Sequence, residues 1–130
     1  ILSYLADIDR TNNPYEVGLD RMVDLDQEDD FIGKEALRQI CLQGPEKKLI
    51  GAEIYGEPLT IFNAEHWPVF IDNKKVGSMN AMVYSPRLNK NICYTILDIE
   101  HAKSGQEIII SAPDCELKAV TVDLPWLERA

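Results

Sequence analysis

The sequence predicts an α+β protein in which a short strand–helix segment precedes a small antiparallel β-barrel or jelly-roll-like domain. Apolar residues between Gly33 and Gln43 recur at the 3.6-residue period of a helix with one apolar face. After Gly44-Pro45, a pair typical of a helix end, short apolar runs are separated by turn signals roughly every 8–12 residues. We therefore divide the chain into residues 1–44, a strand–helix piece, and residues 45–130, an all-β domain.

The region before the helix is irregular. Ile1 to Ile8 is compatible with a strand end or a short helix, and its pattern does not decide between them. Pro14 breaks the chain because proline holds the preceding residue out of the α region. Leu19 to Leu25 alternates roughly between apolar and polar residues, which predicts a short half-buried strand.

The predicted helix has an apolar face that needs a covering partner. This face consists of Ala36, Leu37, Ile40 and Cys41. An exposed apolar face is unfavourable in water, so we expect either the β-domain or a second copy of the chain to cover it. A homodimer is therefore one expectation from the sequence.

Six segments of the second region have the composition of strands. Pro68 is tolerated at a strand start, where its missing N–H is not needed. Asp72 to Lys75 is polar and predicts a hairpin turn between two of the strands. Strands this short and numerous form either a small barrel or a sandwich. The predicted strands are 47–55, 68–71, 75–84, 92–99, 107–111 and 116–122.

Composition limits the classes of partner. The chain of 130 residues has a formal net charge of −9, which argues against nucleic acid or an anionic membrane as the main partner. It has no apolar run of the roughly 20 residues that span a bilayer, so we expect no membrane anchor. The three cysteines are widely spaced, and we expect them to be buried or half-buried free thiols in a reducing compartment. The start at Ile1 leads us to expect that the sequence was cut from a longer one.

An acidic run precedes the helix. Six acidic residues between Asp20 and Asp30 face the single base Arg21. A calcium loop would need a central glycine, but Gly33 falls too late for that pattern. We expect a solvated loop whose last carboxylates lie near the helix N-terminus, where the helix dipole favours negative charge.

The residue pattern alone shows no catalytic site. His66 and His101 are the two histidines, and neither has a Ser, Cys or acid at a spacing that suggests a triad. We expect both to be solvent-facing loop residues. The sequence contains neither a Gly-rich phosphate loop nor a metal-ligand spacing.

Six segments resemble the folate-dependent aminomethyltransferase family, which comprises the T-protein of the glycine cleavage system and its relatives. Their order and spacing across most of the chain carry the resemblance. The start of the chain, Leu2-Ser3-Tyr4 with Asp7, and also Arg87, are similar to the folate domains of dimethylglycine and sarcosine dehydrogenases and of dimethylsulfoniopropionate demethylase. The six segments are 13–19, 30–37, 75–78, 84–92, 104–107 and 122–126.

The resemblance implies a part of an enzyme. Family members fold as three domains around a central folate site, and this chain matches the end of the middle portion and the C-terminal β-domain. The family's catalytic aspartate has no counterpart here, and its pterin-binding glutamate would precede Ile1. The implied function is the C-terminal portion of a tetrahydrofolate-dependent aminomethyl or methyl transferase that helps to close the folate site and is inactive alone. The alternative is a non-catalytic folate-binding or interaction module.

The implied cofactor, tetrahydrofolate, needs aromatic faces for its rings and cations for its glutamate tail. Trp67 and Tyr84 are alternatively packing residues of the barrel, and Glu16 is alternatively a partner of a helical turn dipole. The candidate folate or substrate contacts are Tyr4, Glu16, Trp67, Tyr84, Arg87, Trp126 and Arg129.

The resemblance also implies partners and a compartment. The partners are folate, a small methylated or aminomethyl-carrying substrate, and a lipoyl carrier protein. The compartment is the cytoplasm, or the mitochondrial matrix in a eukaryote.

Overall fold

A computed structural model describes residues 2–60 and 62–127. It contains one short 3-10 turn, one α-helix and six strands. In chain order these are the 3-10 turn Asp20–Met22, helix α1 (Lys34–Gln43), and strands β1 (Lys47–Ile54), β2 (Trp67–Ile71), β3 (Lys74–Ser85), β4 (Lys90–Asp98), β5 (Glu107–Ser111) and β6 (Glu116–Val122).

The six strands form a closed barrel in the order β1-β4-β3-β2-β5-β6. Neighbouring strands are antiparallel throughout, and β1 closes the barrel by pairing with β6, with Gly51 opposite Val122. Closure leaves no free sheet edge, which suits strands that are this short. The predicted α+β class and antiparallel barrel are confirmed, and the sandwich alternative is wrong.

The barrel interior is filled by one apolar cluster. On β1 the side chains of Ile50, Ala52 and Ile54 belong to it, whereas Leu49 belongs to a cluster outside the barrel. This split follows from strand geometry, since successive side chains of a strand point to opposite faces.

A second apolar cluster, called the outer cluster below, lies between the N-terminal segment and the outside of the barrel. Residues 2–19 contribute to it from one side, and β1 and β4 contribute from the other. The N–H of Leu49 donates to the carbonyl of Glu16 at 2.6 Å, which ties the two sides together. The outer cluster consists of Val17, Leu49 and Ile96, with Leu2, Ile8, Leu19, Tyr94 and Leu124 packed against them.

The strand predicted at Leu19–Leu25 is wrong. The chain forms the 3-10 turn there, and Val23 N–H donates to the Asp20 carbonyl at 3.0 Å. The Asp24 carboxylate then accepts from the N–H groups of Asp26 and Gln27. These local bonds use backbone donors that a strand would offer to a neighbour, which is why short acidic segments favour turns.

Helix α1 ends where the sequence predicts, but the barrel does not bury its apolar face as expected. Gly44, at a φ of 82°, caps it by donating its N–H to the Ile40 carbonyl at 2.8 Å. No residue of α1 is buried, so the expectation that the β-domain covers its apolar face is wrong. The helix is held instead by the acidic loop before it, where Lys34 Nζ donates to the Gln27 carbonyl at 2.7 Å and Arg38 Nη2 to the Leu25 carbonyl at 3.2 Å.

The cysteines are free, but only Cys93 is buried, whereas Cys41 and Cys115 are exposed. Cys93 lies on β4 and belongs to the interior cluster. The expectation of burial therefore fails for the other two. Cys41 is on α1, which buries no residue, and Cys115 lies in the turn between β5 and β6.

Candidate functional site

Two clefts lie where the N-terminal segment crosses the outside of the barrel. The first, the polar cleft, has a volume of about 200 Å³ and is lined by Asp7, Asp9, Glu16, Lys47, His66 and Asn80, among others. The second, the aromatic cleft, has a volume of about 340 Å³ and is lined by Arg21, Lys48, Tyr94, Asp123, Leu124 and Trp126, among others. Both include members of the outer cluster, with Ile8 and Ile96 in the first and Leu49 and Tyr94 in the second.

The polar cleft is built on two buried polar side chains. Asp7 is 5% exposed and Asn80 is 2% exposed. The Asp7 carboxylate accepts from Ser3 N–H at 2.7 Å, and Asn80 Nδ2 donates to the Asp7 carbonyl at 2.6 Å. Buried polar groups are stable only when they are hydrogen-bonded, so these contacts fix the N-terminal segment to β3.

The rim of the polar cleft combines a histidine with a carboxylate. His66 Nε2 lies 3.1 Å from the Ala6 carbonyl, which can only accept, so this nitrogen carries the proton. Hydrogen bonds from the Thr11 hydroxyl and N–H lower the pKa of Asp9 below its usual value. Asp9 therefore remains charged at neutral pH at the mouth of the cleft.

The aromatic cleft is built around Trp126. The ring centroids of Trp126 and Tyr94 are 5.0 Å apart, with the planes tilted by 47°. The indole covers Gly51 so closely that a Cβ at this position would lie 3.0 Å from Trp126 Nε1 and 2.9 Å from Leu124 Cδ2. The Trp126 N–H is buried and has no hydrogen-bond acceptor among the residues that the structure describes.

Tyr94 lines the aromatic cleft, and its hydroxyl is influenced by the charge of Asp7, which lines the polar cleft. Burial raises the pKa of the Tyr94 hydroxyl, and the negative charge of Asp7 raises it further. The hydroxyl therefore keeps its proton across the neutral range and remains a hydrogen-bond donor.

Two cations line the aromatic cleft. Arg21 Nη1 donates to the Gly18 carbonyl at 3.2 Å, and no carboxylate within the described ranges forms a salt bridge with Arg21 or Lys48. Asp123 is the acid in the lining. The cleft therefore carries a surplus of positive charge in a chain whose net charge is −9.

Comparison with known proteins identifies the barrel. Residues 47–128 match the family described as the glycine cleavage T-protein C-terminal barrel domain. The chain belongs to this family. The resemblance stated from the sequence is confirmed at this level, while the narrower demethylase and dehydrogenase branch stays a prediction.

Similar proteins extend the match beyond the T-protein barrel domain. The aminomethyltransferase of Bacillus mycoides is 33% identical over 129 residues, covering 98% of this chain and 34% of that relative. The aminomethyltransferase of Halalkalibacterium halodurans is 33% identical over 126 residues, covering 97% of this chain and 33% of that relative. The chain thus spans about a third of the length of these relatives.

A solved structure has the same fold. It is the glycine cleavage system aminomethyltransferase T from Bartonella henselae, with a TM-score of 0.84 and 14% sequence identity. The match covers 98% of this chain and 35% of that one. It therefore includes the N-terminal segment and α1 as well as the T-protein barrel domain.

The structure does not bring together the six predicted contacts that it describes. Glu16 lines the polar cleft, where its carboxylate accepts from Asn13 N–H at 3.2 Å, and Trp126 lines the aromatic cleft. Tyr4 is 59% exposed. Arg129 lies outside the described residues.

The other three predicted contacts line neither the polar nor the aromatic cleft. Tyr84 and Arg87 share the β3–β4 hairpin, where the Tyr84 hydroxyl donates to Asn89 Oδ1 at 2.6 Å and Arg87 is exposed. Trp67 packs against the interior cluster and donates to Glu65 Oε2 at 3.4 Å. The hairpin pair remains a predicted contact, while Trp67 has the position of the packing alternative.

Residues that the sequence did not single out make up much of the two clefts. The sequence could have indicated Asn80, because it is the polar residue in the apolar run from Met79 to Val83. Asp7 entered only as part of the family resemblance and Tyr94 was not indicated at all, since their role depends on which segment crosses which strand. His101 is half-buried rather than solvent-facing, with Nε2 at 3.1 Å from Glu100 Oε1, so that expectation is corrected.

Two kinds of feature are absent from the described residues, namely a metal-ligand cluster and a membrane-crossing helix. No group of three or more His, Cys, Asp or Glu side chains is arranged there to hold a metal ion. None of the helices in residues 2–60 and 62–127 has the length and apolar character needed to cross a membrane.

Proposed function

We propose that this chain is the C-terminal portion of a tetrahydrofolate-dependent aminomethyl or methyl transferase and that it helps to close the folate site. The observation that carries this proposal is the extent of the similarity. Relatives named aminomethyltransferase align with 97–98% of the chain, so the resemblance includes the residues before the barrel as well as the barrel itself.

The outer face of the barrel is the surface on which we place the folate site. Glu16 and Trp126, two of the predicted contacts, lie on this face beside the outer cluster. Trp126 and Tyr94 offer aromatic surface, and Tyr94 keeps a hydroxyl donor. Aromatic stacking and a few placed polar groups are what a flat heteroaromatic cofactor requires.

The chain's own residues support a closing role rather than a catalytic one. His66 Nε2 lies 3.1 Å from the Ala6 carbonyl and His101 Nε2 lies 3.1 Å from Glu100 Oε1, and within the described residues neither ring is hydrogen-bonded to a Ser, Thr or Cys side chain. The family resemblance places the catalytic aspartate in the first half of the parent protein, which is outside this chain. We therefore expect this chain alone to show no turnover.

The donor and carrier follow from the same proposal. The substrate would be a small methylated or aminomethyl-carrying molecule, and a lipoyl carrier protein would present it in the aminomethyl case. The enzyme would work in the cytoplasm or the mitochondrial matrix.

Two measurements test the proposal: titration calorimetry with tetrahydrofolate and a transfer assay. Both are made on the product of the complete open reading frame and on the 130-residue chain. We expect binding and transfer by the complete product and no transfer by the chain alone. Binding without transfer by the complete product would favour the non-catalytic module instead. An open reading frame without an aspartate-bearing N-terminal half would refute the transferase.

A further inference from the structure

Asn80 is the extra residue at a bulge in β3. The register of β3 against β4 pairs Met79 with Thr95 and Ala81 with Tyr94, so Asn80 has no residue opposite it in this pairing. A bulge changes the direction of one side chain, and bulges are common beside functional sites. Here the bulge brings a polar side chain that is 2% exposed into contact with the N-terminal segment.

The Asn80 amide is hydrogen-bonded at both of its ends. Its Nδ2 donates to the Asp7 carbonyl at 2.6 Å, and its Oδ1 accepts from the Ser78 hydroxyl at 3.3 Å. A carbonyl can only accept, so the nitrogen of the amide is the atom that faces Asp7. The bond from Asn80 to Asp7, called the Asn80 clamp below, joins residues that are 73 positions apart.

The segment that the Asn80 clamp holds is a compact turn. Ser3 N–H donates to the Asp7 carboxylate at 2.7 Å, and Asp7 N–H donates to the Ser3 carbonyl at 2.9 Å. Leu5, between them, has a φ of 70°, a conformation that side-chain-bearing residues rarely adopt. Such a conformation persists only where the surrounding contacts impose it. The turn therefore moves as a unit, and the Asn80 clamp attaches it to the barrel.

The same turn leads into the polar cleft. Residues 7–9 and 11–12 line this cleft from the N-terminal segment, while Ser78, Asn80 and Ile96 line it from the barrel. The predicted folate contact Glu16 lies in the same lining. The Asn80 clamp thus joins the two parts that form the cleft and fixes the distance between them. Displacing part of a site by about 1 Å can reduce an enzyme's rate about a hundredfold.

From these observations we propose that Asn80 is a positioning residue for the folate site. Through Asp7 it sets where the N-terminal segment lies against the barrel, and so it sets the shape of the polar cleft. Asn80 takes no part in the transfer itself. This inference rests on the proposed function, because the site in question is the one placed on the outer face of the barrel.

Asn91 on β4 provides a matched control for Asn80. It is 3% exposed, its Nδ2 donates to the Glu57 carbonyl at 2.9 Å, and its Oδ1 accepts from Leu59 N–H at 2.9 Å. Asn91 therefore also attaches a crossing segment to the barrel through a buried amide. It lines neither the polar nor the aromatic cleft. A purely structural role would make the two asparagines equivalent.

The test compares Asn80→Leu with Asn91→Leu in the product of the complete open reading frame. Each change replaces a buried amide by an apolar side chain of similar size. We expect Asn80→Leu to raise the KM and the Kd for tetrahydrofolate about tenfold while kcat stays within about twofold, because a binding surface moves but no reacting group is lost. Asn91→Leu should leave KM, Kd and kcat unchanged.

Asn80→Ser is a milder second variant. A water molecule can bridge the serine and the Asp7 carbonyl, so its KM should lie between those of wild type and Asn80→Leu. Unchanged KM in Asn80→Leu, or equal increases in the two leucine variants, would overturn the positioning role and leave the proposed function intact. A wild-type product that does not bind tetrahydrofolate would overturn both. Loss of the fold in both Asn80 variants, seen by circular dichroism, would also contradict the proposal, because the Asn80 clamp would then serve the whole barrel.

Discussion

Gly51 is the residue on which the position of Trp126 depends. The added methyl group of a Gly51→Ala variant would meet Trp126 and Leu124 at about 3 Å, so the indole must move. Alanine normally stabilises a strand relative to glycine, but here we expect a loss of about 1–3 kcal/mol from overpacking. Urea denaturation measures the loss, and Trp126 fluorescence in a Trp67→Phe background reports the movement.

A double-mutant cycle separates this clash from other effects of Gly51→Ala. With Trp126→Ala in the background, the cost of Gly51→Ala should shrink because the indole is no longer there. An unchanged cost would show that Trp126 does not lie on Gly51.

Cys93 gives a pH-dependent prediction. Burial raises the pKa of its thiol from 9.0 to about 12. The unfolded chain therefore releases this proton at a lower pH than the folded chain. The contribution of the protonated Cys93 thiol to the free energy of unfolding is complete below pH 9.0 and is lost as the pH rises towards about 12. The free energy of unfolding should fall over this window, and the fall should be shallower in Cys93→Ala.

Thiol labelling provides the companion measurement. Cys41 and Cys115 are exposed and should react in the native protein, whereas Cys93 should react only in denaturant. Rapid native labelling of Cys93, or equal pH slopes in the two proteins, would contradict the burial that the structure shows.

At the scale of elements, the barrel and α1 differ in how much they contribute to stability. Ile110 on β5 is 0% exposed, while Leu42 on α1 is 76% exposed. Ile110→Ala should cost about 2–5 kcal/mol through cavity formation. Leu42→Ala should change stability by no more than about 0.5 kcal/mol. Chemical denaturation of the two variants makes the comparison.

The Leu42→Ala and Ile110→Ala variants also test the expectation that a second copy of the chain covers the apolar face of α1. If Leu42→Ala proves as costly as Ile110→Ala, the helix is packed in solution against something other than this barrel. Light scattering would then distinguish a homodimer, which stays a prediction, from a monomer.

Strands of the barrel were predictable because their signals are local. The starts and ends of β5 and β6 follow directly from apolar alternation bounded by turn residues. The alternation at Leu19–Leu25 wrongly predicted a strand. Among the described residues no strand lies beside this segment, and the Asp24 side chain accepts hydrogen bonds from nearby backbone N–H groups instead. Helix α1 ends where predicted, at Gln43, and begins one residue after the predicted start, but its lack of burial depends on contacts that periodicity does not contain.

The candidate site was less predictable because it is assembled across the chain. Glu16 and Trp126 entered through the family resemblance. The Asn80 bond to the Asp7 carbonyl joins residues far apart in sequence, and the Asp7 effect on Tyr94 also depends on the N-terminal segment crossing the barrel. Neither follows from composition or spacing.

At the scale of the whole molecule, residues 2–19 belong with the barrel. The outer cluster and the Glu16–Leu49 hydrogen bond attach them to its outer face, whereas residues 20–43 bury no side chain. The domain boundary that we place after residue 44 stays a prediction. The contacts show that residues 2–19 pack against the outer face of the barrel.

A chimera with a related enzyme tests whether this chain can complete a folate-dependent transferase. The part of the Bacillus mycoides aminomethyltransferase that aligns with this chain, 34% of its length, is replaced by the chain. The kcat/KM of tetrahydrofolate-dependent transfer is then compared with that of the same enzyme truncated before this part. Circular dichroism confirms that both proteins are folded. We predict that the chimera transfers the aminomethyl group measurably faster than the truncated enzyme, because we propose that the chain helps to close the folate site. A folded chimera with no more activity than the truncated enzyme would contradict this account.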